Sequence, residues 1–176
     1  AVETHEFRVR DLEHYFQLMT EHRNTSTYTV GWIDALQRGA HLGRGIFQTG
    51  EPVDVPSVKS RERTHSVPFT FPNITLTRVS VALFNEMYYR RMPTGGRSRI
   101  VDYDTFHHPL DAVENWNRFY GRGGFYQFQC VLPDEMALPG VKVLLEKVAT
   151  ARAASFLGVL KTFGAGGLGH LSFPRP

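Results

Sequence analysis

Hydrophobic residues recur at two spacings along the chain, and each spacing predicts a different element. Apolar and polar residues alternate over residues 6–9, which predicts a half-buried strand. Beyond it they return every three or four positions, which predicts a helix capped by Asp11 and running to about His22. The same spacing predicts helices over residues 77–91 and from about Pro139 onward.

Segments rich in β-branched and aromatic residues predict the other strands. They cover residues 25–33, 45–49, 99–103, 124–132 and 155–163. Residues 50–75 contain four prolines and predict a long irregular connection, and residues 107–110 predict a loop. Strands interspersed with helices in this order predict an α+β fold, an antiparallel β-sheet with helices packed on one face.

Composition limits the class of protein. A chain of 176 residues with 12% aromatic residues and a net charge of only +3 suits one folded domain and gives little sign of a polyanion partner. It excludes a disordered tail and a disulfide scaffold. The single cysteine, Cys130, falls on the apolar face of the strand predicted at 124–132, which predicts a buried, inert thiol.

The predicted strand 124–132 carries two amides at its centre. Because side chains alternate along a strand, Gln127 and Gln129 share one face, and Tyr126 and Phe128 share the other with Cys130. The second set is typical of a core face. The glutamine face is interpreted either as solvent-exposed or as the floor of a ligand site, and both interpretations remain open.

Lys161 raises a similar question in the strand predicted at 155–163. It alternates with Leu157, Val159 and Phe163, so it shares a face with apolar residues. It is interpreted either as a lysine that snorkels at a sheet edge or as a cation aimed at an anion or a developing oxyanion.

Other chemistry is weakly indicated. Trp116 is interpreted as either core or ligand wall, and Arg118 as a structural cation pairing with Glu114 at helical spacing. The eight histidines show no recognised metal-ligand spacing, so no metal site is predicted, and His107-His108 is interpreted as loop packing. The glycine-rich run at residues 164–169 follows a predicted strand, but no predicted helix comes after it, so a phosphate-binding loop is not predicted.

Two stretches nevertheless form a family pattern when taken together. They are WNRFYGRGGFYQFQCVLP (116–133) and SFLGVLKTFG…LSFPRP (155–176), supported by residues 28–51 and 106–118. The pattern resembles the substrate (cap) domain of FAD-linked oxidases of the vanillyl-alcohol oxidase superfamily. It is most similar to the decaprenylphosphoryl-β-D-ribose oxidase-like branch and more distantly to sugar-lactone oxidases.

The resemblance implies an FAD-dependent oxidoreductase that oxidises a hydroxyl-bearing carbon of a sugar-like substrate by hydride transfer to flavin. It implies that Gln127 and Gln129 line the pocket, with Gln129 facing the flavin, and that Lys161 offers a charged hydrogen bond. His107 stands where the family has a tyrosine, a departure that puts its contact in question. The implied substrate-binding set is His107, Leu110, Trp116, Arg118, Gln127, Gln129, Lys161 and Phe163.

The resemblance also sets expectations for the whole protein. Residues 1–176 are expected to be a partial substrate-binding domain, with the FAD-binding domain, the bulk of the FAD contacts and a C-terminal segment lying outside this chain. We therefore expect no activity from the chain alone. The expected partner is a sugar or polyol-type substrate, lipid-linked or not, with a partner reductase undetermined and no nucleic acid. The expected location is cytoplasmic, with membrane association of the parent left open.

Two alternative functions belong to other classes. Residues 122–128 faintly resemble the aromatic strand of an RNA-recognition motif, which favours a single-stranded nucleic-acid-binding module. Against it stand the small net charge and the placement of Tyr126 and Phe128 on a predicted core face. A non-catalytic interaction module is the second alternative.

Overall fold

A five-stranded antiparallel sheet with helices forms the body of the molecule, which confirms the predicted α+β class. The computed structural model describes residues 1–55, 65–72, 76–110, 113–151, 156–164 and 168. The sheet strands are β1 (Val2–Val9), β2 (Tyr28–Ile33), β3 (Gly45–Pro52), β5 (Arg97–Val101) and β7 (Val159–Leu160), in the order β5-β1-β3-β2-β7. The helices are α1 (Leu12–His22), α2 (Arg78–Arg90), α3 (Tyr103–His107) and α4 (Asp134–Thr150).

Helices α1 and α4 pack on one face of the sheet, while α2 and α3 contact the other face. The Asp11 side chain caps α1 by accepting a hydrogen bond from the His14 amide at 2.8 Å. Tyr15 of α1 packs edge-on against Phe47 of β3, with ring centroids 5.9 Å apart. Burial of such apolar surface is the main favourable term in folding, so this face carries the core. Its buried members include Val9, Leu12, Tyr15, Ile33, Phe47, Val141 and Leu145.

The opposite face of the sheet, which we call the open face, carries the alternate residues of each strand. Its side chains include Thr4, Glu6 and Arg8 of β1, Tyr28, Val30 and Trp32 of β2, and Gln48 of β3. Helix α2 reaches this face through Tyr88, whose ring centroid lies 4.8 Å from that of Trp32. Helix α3 reaches it at Gly50, where an added Cβ would lie 2.6 Å from the Phe106 ring.

Helix α2 begins at the predicted position, after a capping box formed by Thr77 and Ser80. Its apolar stripe of Val79, Leu83 and Met87 is exposed, at 78%, 60% and 58%. The helix instead buries Val81, Asn85 and Tyr89. The spacing therefore identified the helix correctly but not the side that packs.

The strand predicted at residues 124–132 is wrong. This segment contains no helix or strand and is exposed nearly throughout, with Tyr126 and Phe128 at 105% and 73% exposure. Cys130 is exposed too, which corrects its predicted burial. β-Propensity measures how well a side chain suits a pleated, half-buried surface, and it cannot show whether a neighbouring strand is available to pair with.

Several element boundaries also differ from prediction. Helix α4 begins at Asp134, five residues before Pro139, which lies inside it. The last strand is only the two residues of β7, and Ser155 of the predicted strand lies outside the described residues. Strand β5 ends at Val101, because the Asp102 side chain caps α3 by accepting from the Asp104 amide at 3.0 Å. His107, predicted in a loop, is accordingly the last residue of that helix.

The irregular connection predicted over residues 50–75 is only partly described. Residues 50–52 complete β3, while residues 56–64 and 73–75 lie outside the described part of the chain. Within the rest, β4 (His65–Ser66) pairs in parallel with β6 (Val113–Glu114). This short ladder ties the connection to the segment that leads into Trp116.

Candidate functional site

Lys161 lies at the β7 edge of the open face. Strand β7 pairs with β2 so that Val159 is opposite Trp32. The same register continued places Lys161 opposite Val30, and it agrees with the 3.1 Å contact between the hydroxyls of Thr29 and Thr162. The side chain of Lys161 is exposed. In this chain the lysine therefore sits at a sheet edge, as one predicted alternative had it, and is not enclosed in an apolar cavity.

His107 lies over the same face, beside Tyr28. The two rings are perpendicular, with centroids 4.8 Å apart, and the Tyr103 ring centroid lies 4.2 Å from that of the histidine. The His107 Nε2 atom is buried and makes no hydrogen bond within the described part of the chain. A buried polar atom left unsatisfied costs about 1–3 kcal/mol. A hydrogen-bonding ligand group at this position would remove that cost.

Phe163 completes this group. It follows Thr162, and the register that pairs Thr29 with Thr162 brings it opposite Tyr28. The continued register thus puts Lys161 and Phe163 opposite Val30 and Tyr28 on the open face, and the His107 ring lies beside Tyr28.

Trp116 and Arg118 stand on a 3₁₀ turn, Trp116–Tyr120, that begins after Asn115 in the left-handed conformation with φ of 56°. Trp116 packs against Phe125 at 5.5 Å between centroids. Arg118 donates through Nη1 to the Val67 carbonyl at 2.7 Å and does not pair with Glu114 in the described structure. Its predicted structural role is thus supported, with a different partner, because a 3₁₀ turn does not present side chains at α-helical spacing.

An aromatic path joins this turn to the β7 edge. Tyr120 stacks on Phe156 at 5.4 Å, and the Phe156 carbonyl accepts a hydrogen bond from Trp32 Nε1 at 2.9 Å. Burial raises the pKa of Tyr120 above its usual value of 10.0, which keeps its phenol neutral near neutral pH. The 3₁₀ turn is therefore anchored beside the edge that carries Lys161.

The two predicted glutamines do not join this group. Gln127 and Gln129 are exposed, and neither amide makes a hydrogen bond to any residue that the structure describes. Leu110 is also exposed, in the loop after α3. The exposure of Tyr126 and Phe128 removes an objection to base stacking, although the segment is not the sheet strand that an RNA-recognition motif requires.

The open face adds polar residues that were not predicted as site residues. Glu6 is 4% exposed and accepts from Arg97 Nε and Arg99 Nη2, each at 2.8 Å. The register places Gln48 between Glu6 and Val30. Alternation within residues 28–33 was the signal that could have grouped Tyr28 with Val30 on one face.

Metal-ligand clusters and membrane-spanning helices were both sought among the described residues. No group of three or more histidine, cysteine, aspartate or glutamate side chains there is placed to hold a metal ion. Among its helices, none combines the length and apolar character needed to cross a bilayer.

Comparison with curated proteins identifies an informative relative. No protein-family model matches the chain. The sequence is 32% identical over 160 residues to decaprenylphosphoryl-β-D-ribose oxidase of Mycolicibacterium smegmatis. The aligned region covers 85% of this chain and 34% of the oxidase. The chain thus spans about one third of that relative's length. The resemblance predicted from the two sequence stretches is confirmed.

Proposed function

We propose that this chain is the substrate-binding portion of an FAD-dependent oxidoreductase that oxidises a hydroxyl-bearing carbon of a sugar-like substrate. The observation that carries the proposal is the 32% identity to an oxidase whose name specifies a phosphoryl ribose substrate. The open face is the surface that we assign to the substrate. The proposal is supported by the cover of α1 and α4 over the other face, by the register that puts Lys161 and Phe163 on the open face, and by the His107 ring beside Tyr28.

The residues of the open face suit a polyhydroxylated ligand. Lys161 offers a charged donor, Tyr28 and Phe163 offer ring faces against which a sugar can pack, and His107 Nε2 lacks a partner in the described structure. Donors and acceptors with such fixed directions orient hydroxyl groups, while flat rings exclude water. In this proposal the chain binds and orients the sugar.

The same face is compatible with a planar cofactor. Its aromatic side chains and the orphaned histidine nitrogen would suit one edge of a flat heteroaromatic ring. FAD, when bound, would supply the hydride acceptor. We also assign the exposed side chain of Gln129 to the side of the site that faces the flavin. Residues 125–131 would then become buried against the part of the protein that holds the cofactor.

The proposal is tested by the Lys161→Ala substitution. It is made in the protein that carries both this chain and the FAD-binding half. A hydrogen bond to a charged group contributes about 1.5–3 kcal/mol, so kcat/KM for a prenylphosphoryl-β-D-ribose should fall by about ten- to a hundredfold. The readout is flavin reduction followed by absorbance under anaerobic conditions.

Lys142→Ala is the matched control, because Lys142 is an exposed lysine of α4 on the far side of the sheet. It should change kcat/KM by less than about twofold. Unchanged kinetics in Lys161→Ala, or an equal loss in both variants, would contradict the assignment of the open face to the substrate.

A further inference from the structure

A second polar site lies on the open face, three strands away from Lys161. It is a cavity of about 490 Å³ lined by Arg8, His41, Arg44, Glu86, Tyr89 and Arg90, and we call it the arginine pocket. Its volume falls within the range of small-molecule sites, about 300–1,000 Å³. With strands spaced about 4.8 Å apart, Arg8 of β1 and Lys161 beyond β7 are roughly 14 Å apart across the sheet. The two sites are therefore separate.

The pocket's floor is a saturated ion-pair network. Asp34, fully buried, accepts from Arg44 Nε at 3.1 Å and Arg44 Nη2 at 2.9 Å through one oxygen. Its other oxygen accepts from Asn85 Nδ2 at 2.7 Å and the Leu36 amide at 3.2 Å. Asp34 thus already accepts four hydrogen bonds, and it has little capacity left to neutralise another cation.

Both oxygens of Glu86, the other carboxylate, also accept hydrogen bonds. One oxygen accepts from Arg44 Nη2 at 2.6 Å and the other from Arg90 Nε. The hydrogen bond from Arg44 lowers the pKa of Glu86, although its partial burial acts in the opposite direction, and Arg90 lowers it further. Glu86 is therefore ionised at neutral pH, and both of its oxygens are used by those two arginines.

Arg8 is the arginine of this group that has no carboxylate partner among the described residues. The pocket and its floor contain three arginines and two carboxylates, and within the described structure Arg8 makes neither a hydrogen bond nor an ion pair. Its guanidinium instead lies 4.3 Å from the centroid of Tyr89, whose ring also receives Arg44 at 4.6 Å. The cation–π contact holds the guanidinium in place without using its N–H donors, which can therefore bind a ligand.

A half-buried guanidinium without an anion is an unfavourable arrangement, because charge removed from water must be compensated. Guanidinium groups bind phosphate oxygens through paired, charge-assisted hydrogen bonds. Exposed His41 and Arg90 add further donors at the rim. We propose that the arginine pocket binds the phosphate group of a small phosphorylated ligand, with Arg8 as the principal contact. This inference does not depend on the proposed oxidoreductase function.

Calorimetric titration of the 176-residue chain tests the proposal. The probes are inorganic phosphate and glycerol 3-phosphate, with glycerol as the neutral match. Binding of either phosphate probe, but not of glycerol, is expected. Binding of both probes indicates that the phosphate group suffices, and binding of glycerol 3-phosphate alone indicates that the organic part contributes as well. If neither binds, the proposal is overturned.

Arg8→Gln should weaken phosphate binding at least about tenfold, the loss expected for one charge-assisted contact. Arg122→Gln removes the same charge from an exposed loop residue and should leave the affinity within about twofold. An equal loss in both variants would mean a general effect of net charge and would overturn the site.

Arg8→Lys keeps the test decisive if Arg8→Gln does not fold. It keeps the charge but loses the planar fork, so it should also bind phosphate more weakly than the unmodified chain. Affinity equal to that of the unmodified chain would show that Arg8 does not contact the ligand.

Discussion

Two parts of the molecule that both carry a periodic apolar pattern behave in opposite ways. In β1, α1 and β3, apolar residues are buried where the pattern predicts, and Phe47 of β3 is 1% exposed. In residues 124–132, an equally regular alternation leaves Phe128 73% exposed and forms no strand. The difference lies in the partners, since β3 is paired on both sides, to β1 and to β2. Periodicity therefore predicts a buried strand only where neighbouring strands lie on either side of it.

Replacing one phenylalanine in each part is expected to give the largest difference in the free energy of unfolding. Phe47→Ala should lower the free energy of unfolding by about 3–5 kcal/mol, because it empties a filled core site beside Tyr15. Phe128→Ala should change it by less than about 0.5 kcal/mol. Urea unfolding of the 176-residue chain measures both. A loss above about 1 kcal/mol for Phe128→Ala would mean that the segment is packed after all.

A glycine in the packed part provides the next contrast. At Gly31 an added Cβ would lie 1.3 Å from the Tyr15 hydroxyl and 3.1 Å from the Ile46 carbonyl oxygen. Gly31→Ala should therefore destabilise the chain by about 1–3 kcal/mol or more through overpacking. Gly95→Ala is the control, because nothing lies within 4 Å of its added Cβ. Equal unfolding midpoints for the two variants would contradict the close approach of α1 to β2.

The smallest expected effect concerns Glu86 and pH. Hydrogen bonding to Arg44 lowers the pKa of Glu86 below its ordinary value of 4.5, so the ionised form stabilises the folded chain above that value. This stabilisation is lost as the pH falls through the lowered pKa. Unfolding measured between about pH 6 and about pH 3 should therefore lose less stability in Glu86→Gln than in the unmodified chain.

Glu146→Gln is the matched control for this prediction. It replaces an exposed carboxylate of α4 that makes no ion pair with the described residues. Its stability should follow the pH dependence of the unmodified chain. If Glu86→Gln does the same, Glu86 does not contribute to the acid sensitivity of the fold.

The predicted site residues, like the predicted strands, lie together only where their strand is paired in the sheet. Lys161 and Phe163 could be assigned to one face from alternation alone, and the structure brings that face beside His107. Gln127 and Gln129 were assigned by alternation as well, but the strand that would orient them does not form. Arg118 finds the Val67 carbonyl, 51 residues away, a partner that no local spacing could indicate.

The arginine pocket could not be predicted from the sequence, because its residues come from separate elements. Arg8 and Glu86 come from β1 and α2, and Arg44 lies directly before β3, so nothing in their spacing connects them. Their meeting depends on the register of β1 with β3 and on Asn85 of α2 donating to Asp34. A charge balance over the whole chain, +3, gives no sign of one unpaired guanidinium at this site.

The sequence by itself determined the α+β class, the Asp11 cap of α1, the presence of α2 and of strands β1 to β3, and the relationship to the oxidase. These depend on local spacing, on capping side chains and on identity, all of which are properties of the chain order. Tertiary structure alone decided which side of α2 packs, that residues 124–132 remain exposed, and which side chains meet on the open face. Each of these depends on whether a partner surface is present, because a strand without a neighbour has no ladder and a charge without a counterion is not neutralised.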